Sequence, residues 1–462
     1  MATKKVPIIA IVGRANVGKS SLFNAVLHRR EAIVANEPGT TRDSVIAKAS
    51  YDGQDFWLVD TAGMKDPEDD FEFTIQEQIT QAADSADVIW VVIEADTVIT
   101  EEDRRVATLA LKSRKPVFLI VNKMDQTRGA KPQDFQKLGI KPIFLTSVTQ
   151  GRGVTELLSE LIVQIPKASI KVASDRLHLA ILGRPNVGKS NLFNTLAKKQ
   201  QAIVADRAGT TRDINRTTVK FMTREIELLD TAGIRRSGKI ERGVERFSVI
   251  RSLSAIEQSD ICLLLMDVNE LSVQLDQKIA GLIKDAGKGL IIVVTKWDTL
   301  DDTKTPYTRD QLAGQIKHEF AFVPWAPLIF TSAVTGQNVT TIFELVLEIE
   351  QARKKLITTS ELNRWLRSIV NAHPPAGLKN RNPKLNYIVQ ESENPTNFKV
   401  YGAHTKFLHW SYKRYMDRQL RAVYGFGGMP IRFWFFDKSV DSKGPIIRKQ
   451  RTATRSQTNP KA

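Results

Sequence analysis

The chain has 462 residues, about three times a ~150-residue domain, so a single hydrophobic core is excluded and two to four domains are expected. It carries 67 Lys and Arg against 51 Asp and Glu, net +16, and the excess sits at one end: residues 351–462 hold 22 basic and 6 acidic side chains, leaving 45 of each in residues 1–350. A polyanionic partner, nucleic acid or an anionic surface, is therefore implied for the last quarter alone. The single cysteine, Cys262, excludes an internal disulfide and a cysteine-based zinc site, and its place in the apolar run 260–268 makes it a small core residue. No apolar stretch approaches the ~20 residues of a membrane span, and the run Pro7 to Val12 leads into a glycine motif instead of a cleavage site. A cytoplasmic protein with no membrane partner is expected.

In chain order, apolar runs predict strands at Ile8 to Val12, Phe56 to Val59, Val88 to Ile93, Val117 to Val121 and Ile143 to Leu145. The same series returns at Leu177 to Leu182, Ile226 to Leu229, Ile261 to Met266, Leu290 to Val294 and Leu328 to Phe330. GRANVGKS from Gly13 and GRPNVGKS from Gly183 are 170 residues apart, as are the two GTTRD segments (39–43, 209–213) and the two DTAG segments (60–63, 230–233). The offset grows to 173 between NKMD at Asn122 and TKWD at Thr295, and to 185 between Thr146-Ser147 and Thr331-Ser332, so the second copy carries late insertions. Short apolar runs alternating with longer helix-compatible stretches predict an α/β fold in each copy, a mostly parallel sheet with helices on both faces. The expected boundaries are 1–165 and 177–352, with 166–176 as linker.

A GxxxxGK[ST] segment after a strand is a phosphate cradle. Gly13, Arg14, Ala15, Asn16, Val17, Gly18, Lys19 and Ser20 form one, and Gly183, Arg184, Pro185, Asn186, Val187, Gly188, Lys189 and Ser190 the other. Lys19 and Lys189 would neutralise phosphate charge, while Ser20 and Ser190 would ligate Mg²⁺. In Asp60, Thr61, Ala62, Gly63 and Asp230, Thr231, Ala232, Gly233, the aspartates would hold Mg²⁺ through water and each glycine N–H can reach the γ-phosphate. An interaction that exists only while that phosphate is present makes a switch. Asn122, Lys123, Met124, Asp125 and Thr295, Lys296, Trp297, Asp298 select the base, because a carboxylate accepts from the N1–H and 2-amino group of guanine, and adenine offers no such pair. GTP is therefore the expected nucleotide at both sites. With Thr295 in place of Asn, weaker binding is expected at the second.

The basic quarter begins with Thr-Thr-Ser-Glu ahead of Leu362, Trp365, Leu366, Ile369 and Val370, a capping box opening an amphipathic helix. Strands are expected at Leu385 to Gln390 and Phe398 to Tyr401 as a hairpin, a second helix at about Phe407 to Tyr424, and a strand at Ile431 to Phe436. On the second helix Leu408, Tyr412, Met416, Leu420 and Val423 share a core face, and Arg414, Arg418 and Arg421 form an opposite stripe suited to RNA phosphate. Gly425 to Gly428 reads GxxG but falls between helix and strand, so it is a helix stop. This α+β unit is expected over 353–437, and 438–462 is expected to be a disordered basic tail.

These motifs resemble those of the translation-factor-related GTPases, and the tandem pair with a basic C-terminal domain resembles the Der (EngA) family of bacterial ribosome-assembly GTPases, whose C-terminal domain is KH-like. The resemblance implies GTP hydrolysis, binding of GTP and GDP, ribosomal RNA and a large-subunit precursor as partners, and a monomer. It also implies that Thr41 and Thr211 join the Mg²⁺ shell, and that Asn16 and Asn186 ligate K⁺ as in potassium-activated relatives, a structural role for these Asn residues being the alternative. Met64 and Ile234 stand where many Ras-like GTPases carry a water-orienting glutamine. The expected catalytic set is accordingly Lys19, Thr41 and Gly63 in one site and Lys189, Thr211 and Gly233 in the other. Two other readings stay open: a nucleotide-gated RNA-binding scaffold with negligible turnover, suggested by the missing glutamine, and a tRNA-modification GTPase. The latter family has one G domain and a C-terminal cysteine, for which Cys262 is misplaced.

Overall fold

The computed structural model describes residues 6–27, 46–61, 86–95, 98–127, 131–165, 176–199, 215–230, 252–271, 274–300, 306–378, 381–391 and 396–437. The chain divides into one compact unit of residues 1–355 with 420–431 and a second of 356–419 with 432–462.

The first unit contains two six-stranded sheets. In chain order the first is β1 (Ile8–Val12), β2 (Ile46–Tyr51), β3 (Gln54–Asp60), β4 (Val88–Glu94), β5 (Val117–Asn122) and β6 (Ile143–Leu145), arranged β2-β3-β1-β4-β5-β6. The second repeats it with β7 (Leu177–Gly183), β8 (Asn215–Phe221), β9 (Arg224–Asp230), β10 (Ile261–Asp267), β11 (Gly289–Thr295) and β12 (Leu328–Phe330), arranged β12-β11-β10-β7-β9-β8. All neighbours are parallel except the β2–β3 and β8–β9 pairs. β1, β5 and β11 are buried at every residue, which is why they read as unbroken apolar runs. The helices α1 (Lys19–Leu27), α2 (Glu101–Lys112) and α3 (Val154–Gln164) belong to the first copy, and α4 (Lys189–Lys199), α5 (Gln274–Ala286), α6 (Pro306–Glu319) and α7 (Val339–Lys354) to the second. Each phosphate loop thus sits between the central strand of its sheet and a helix N-terminus, at the carboxyl edge where open α/β sheets bind ligands.

β2 and β8 were not legible as apolar runs. They are antiparallel edge strands, and in β2 only Ile46 and Ala49 are buried. A signal for the first pair does exist: Asp52 and Gly53 take φ of +48° and +72°, the turn that Asp-Gly favours between hairpin strands.

The second unit has the order predicted for it. α8 (Thr359–Ala372) opens on the Thr358/Glu361 capping box, and β13 (Lys384–Gln390), β14 (Asn397–Ala403) and β15 (Arg432–Asp437) form one sheet, β14 antiparallel to β13 and parallel to β15. Leu362, Trp365, Leu366 and Ile369 are buried at helical spacing. In α9 (Trp410–Tyr424) Leu408, just ahead of the helix, and Tyr412, Met416 and Leu420 are buried, but Val423 is 61% exposed. The apolar period there outruns the packed face by one turn. Among the described residues no helix is long and apolar enough to cross a membrane.

Candidate nucleotide sites

Each phosphate loop is shaped by its own backbone. The Lys19 ammonium donates to the carbonyls of Gly13 (2.7 Å) and Arg14, and Lys189 donates to Gly183 (2.8 Å) and Arg184 (2.6 Å). Both lysines are thereby aimed across the loop whose N–H groups would meet phosphate. Asn16 and Asn186 have φ of +64° and +63° and are exposed. Asparagine tolerates that left-handed conformation better than most residues, so the loop has a conformational use for it besides any ligand.

Behind the first loop the Ser20 hydroxyl donates to Asp60 Oδ2 at 2.5 Å. A hydroxyl and a carboxylate converging at a phosphate loop are the hard oxygen donors that suit Mg²⁺, and Ser190 and Asp230 hold the matching positions in the second copy. Thr61 is anchored to Ile11 O through Oγ1 at 2.7 Å. Thr41, Ala62, Gly63, Met64, Thr211, Thr231, Ala232, Gly233 and Ile234 lie outside the described residues.

The NKMD and TKWD loops, expected to select the base, differ in a way their sequences only hint at. Asn122 Nδ2 donates to Val17 O at 3.0 Å, and its Oδ1 accepts from Thr146 Oγ1 at 3.2 Å. In the second copy Thr295 Oγ1 reaches the equivalent carbonyl, Val187 O, at 2.6 Å and also Met266 O at 3.0 Å. The link between phosphate loop and base loop survives the substitution. Room is gained: a Cβ on Gly18 would lie 2.3 Å from Asn122 Nδ2, whereas one on Gly188 would lie 3.9 Å from Thr295 Oγ1. At the carboxylates, Asp125 accepts from Ser147 Oγ (2.5 Å) and Thr149 Oγ1 (3.4 Å), and the Ser147 hydrogen bond holds its pKa below the usual aspartate value. Asp298 Oδ1 is buried with no hydrogen-bond partner among the described residues, an acceptor in need of a donor. Lys123 and Lys296 both adopt left-handed backbone, φ +63° and +57°. Met124 and Trp297 start the following turns, the latter edge-on to Phe330 at 4.8 Å.

A set of carboxylates that the motifs did not single out frames both sites. Glu94, at the end of β4, takes Arg14 Nη2 at 3.0 Å and Lys123 Nζ at 2.6 Å, so one side chain ties the phosphate loop to the base loop. The Lys123 hydrogen bond, followed by charge from Lys123 and Arg14, lowers its pKa. In the second copy the task is divided: Lys296 pairs with Asp267 at 2.6 Å, and Arg184 pairs with Glu270 at 2.9 Å and the fully buried Asp276 at 3.1 Å. Burial works against the Arg184 charge, but Asp276 and Glu270 outweigh it and raise its pKa. Glu94 and Asp267 come from strand ends, Glu270 from the turn after β10 and Asp276 from α5, and only the repeat of Arg at the second loop position pointed toward them.

In the basic quarter the arginine stripe is divided. Arg414 and Arg418 are exposed, Arg414 lying over the Trp410 ring at 4.6 Å. Arg421 donates to Phe426 O at 2.7 Å and lies 5.7 Å from the Trp325 ring centre. The GxxG segment is a helix stop with φ of +86° at Gly425. Gly428 donates to Trp325 O at 2.8 Å and accepts from Leu290 N at 2.9 Å.

A family model described as "50S ribosome-binding GTPase" matches residues 8–123 and again 178–296. A second, "KH-domain-like of EngA bacterial GTPase enzymes, C-terminal", matches 356–435. The chain is 41% identical over 435 residues to the GTPase Der of Chloroflexus aggregans, covering 92% of this chain and 96% of that protein. To the GTPase Der of Herpetosiphon aurantiacus it is 39% identical over 454 residues, covering 96% and 99%, and to that of Caldanaerobacter subterraneus 39% identical over 427 residues, covering 92% and 97%.

Proposed function

We propose a function from the premise that the chain belongs to the Der (EngA) family of GTPases: it uses GTP binding and hydrolysis to control attachment to ribosomal RNA during assembly of the large ribosomal subunit. It is a GTPase, converting GTP and water to GDP and phosphate, with two G domains and a KH-like domain. The observation that carries the ribosomal reading is the match of both halves to the 50S ribosome-binding model, in a chain whose excess charge lies in the KH-like quarter and tail.

In this reading the G domains span 1–165 and 177–352 joined by 166–176, the KH-like domain 353–437, and 438–462 is a basic tail. Lys19 and Lys189 neutralise the phosphates, while Asp125 and Asp298 select guanine. Ser20 with Thr41 and Ser190 with Thr211 would hold Mg²⁺, which would offset negative charge on the phosphates. Gly63 and Gly233 sense the γ-phosphate, and hydrolysis proceeds without a glutamine in the usual place. Asn16 and Asn186 would bind K⁺, which would supply positive charge where an arginine finger does in other GTPases. Replacing KCl by NaCl at equal ionic strength and saturating GTP should then slow turnover, and equal rates would return both asparagines to loop geometry alone. The ribosomal role is tested by co-sedimentation of the full chain with purified subunits. Association with the large subunit in a non-hydrolysable GTP analogue and release in GDP is expected, and no association in either state would overturn it. Single-turnover hydrolysis with and without subunits separates this enzyme from a scaffold of negligible turnover.

A further inference from the structure

The outer face of the three-stranded sheet carries a feature that neither the arginine stripe nor the GxxG turn accounts for. The inner face is packed: Leu385, Ile388, Phe398 and Val400 are all buried. The outer face, by the pairing register, presents Tyr387 opposite Tyr401 and Tyr401 opposite Phe436, with Lys399 opposite Trp434 one step along. A register shift between Leu385 and Tyr387 is what brings Tyr387 onto this face. The three rings form a ladder across the strands, with centres 6.1 Å apart for Tyr387 and Tyr401 and 5.4 Å for Tyr401 and Phe436. Tyr387 is 44% and Phe436 43% exposed, an unusual investment of large aromatics on a face that leaves much of their area in water.

Composition selects the occupant. The core of a protein interface also takes Tyr and Phe but is depleted of charge and of lysine, whereas here the aromatic ladder is bordered on the same face by Lys384, Lys399 and Arg432. Glu391 at the rim is paired with Lys399 at 3.2 Å, and Asp437 is turned to Thr405, whose N–H and hydroxyl it accepts at 2.6 and 2.7 Å. Planar rings in a row with cations around them match an unpaired nucleic-acid strand, whose bases stack on aromatic faces while its phosphates meet the basic rim. A duplex hides its base faces and cannot use such a ladder.

We infer that this sheet face is a stacking platform for two or three bases of an unpaired RNA segment, with Tyr387, Tyr401 and Phe436 as the stacking rings. The inference rests on the RNA-binding reading above and deepens it. It adds base binding to phosphate binding: the rings hold bases while Lys384, Lys399 and Arg432 meet the phosphates of the same strand, and Arg414 and Arg418 of α9 add further backbone contacts.

The experiment uses the full-length chain and three fluorescent probes at one salt concentration: a 12-nucleotide single-stranded RNA of mixed sequence, the same strand with its central bases replaced by abasic riboses, and a blunt duplex. Each stacked base contributes a several-fold to hundredfold increment to affinity, so the intact strand should bind about tenfold or more tighter than the abasic one. The double variant Tyr401→Ala/Phe436→Ala should bind both strands equally, with duplex binding and intrinsic GTP hydrolysis unchanged, and Tyr401→Phe should restore the preference. Should the double variant not fold, Tyr387→Ser on the edge strand gives the same reading with less disturbance. Equal wild-type affinity for intact and abasic strands, or a preference that survives the ring substitutions, overturns the platform and leaves RNA binding standing. Failure of the wild type to bind any of the three probes overturns the RNA reading beneath it.

Discussion

The two aspartates proposed to select the base, Asp125 and Asp298, differ in their hydrogen bonds. Asp125 accepts from the hydroxyls of Ser147 and Thr149, while Asp298 Oδ1 is buried and, among the described residues, without a partner. Guanine supplies two N–H donors, so Asp125→Asn and Asp298→Asn should each weaken GTP at their own site roughly a hundredfold. Xanthosine triphosphate should be partly rescued, since its carbonyl replaces the amino donor. The nucleotide-free protein should tell the two apart. Asp125→Asn weakens an existing hydrogen bond from Ser147 and should lower the melting temperature slightly, whereas Asp298→Asn breaks no hydrogen bond to Oδ1 among the described residues, since Asn keeps one oxygen and exchanges the other for an amino donor, and should leave the melting temperature nearly unchanged. Isothermal titration with GTP and xanthosine triphosphate, beside melting curves without nucleotide, checks both parts. Unchanged GTP affinity in either variant would refute its role. Cys262 fits its reading as a core thiol: it is fully buried, and burial pushes its pKa up to about 12.

At the scale of elements, a single acid organises the edge of the second sheet. Asp260, just ahead of β10, accepts from His178 N at 3.0 Å and His178 Nδ1 at 3.1 Å and pairs with Arg353 of α7 at 2.9 Å. Burial would raise its pKa, but the His178 hydrogen bonds and the Arg353 charge overcome this and hold it well below the aspartate value of 3.8. A depressed folded-state pKa means that the ionised form stabilises the fold above the unfolded value. That stability is lost as pH falls through the folded pKa. Urea unfolding of the wild type should therefore weaken as pH drops below about 4, and Asp260→Asn should show a smaller loss in that window while costing about 2 kcal/mol at pH 7. An identical acid dependence in wild type and variant would show that other carboxylates carry it. Elements of this kind also mark the limit of what could be read in advance. The fully buried strands β1, β5 and β11 and the Thr358/Glu361 capping box were visible because each writes its structure into neighbouring residues. β2 and β8 were not, because an edge strand buries few residues, and the turn between β8 and β9 uses Met222 at φ +54° with no glycine. In the nucleotide sites the phosphate and base loops were legible from motif spacing, but Glu94 and Asp276 were not: their partners Arg14 and Arg184 lie 80 and 92 residues away.

On the scale of the whole molecule, the charge asymmetry and the packing make different demands. The basic quarter carries the entire net charge, yet residues 420–431 cluster with the G region, where Gly428 bonds Trp325 O and Leu290 N. Excising the quarter as a fragment would cut those hydrogen bonds, so the electrostatic test belongs on the intact chain. Within the stripe Arg414 and Arg418 are exposed, while Arg421 is half-buried and serves the helix stop through Phe426 O. Changing Arg414 and Arg418 together to Gln retains helix length and the buried face of Tyr412 and Met416, so folding and GTP hydrolysis should persist. Removing one arginine–phosphate pair should make the slope of log affinity against log salt shallower by about 0.7 to 0.9, hence by about 1.5 for both arginines. Arg421→Gln alone should instead lower the melting temperature and leave the slope nearly unchanged, because its guanidinium holds a backbone carbonyl. Titrations of ribosomal RNA across a salt series, with melting curves for each variant, measure both quantities. If the double variant keeps the wild-type slope, Arg414 and Arg418 form a solvated face, and phosphate binding passes to the lysines and arginines beyond Lys438.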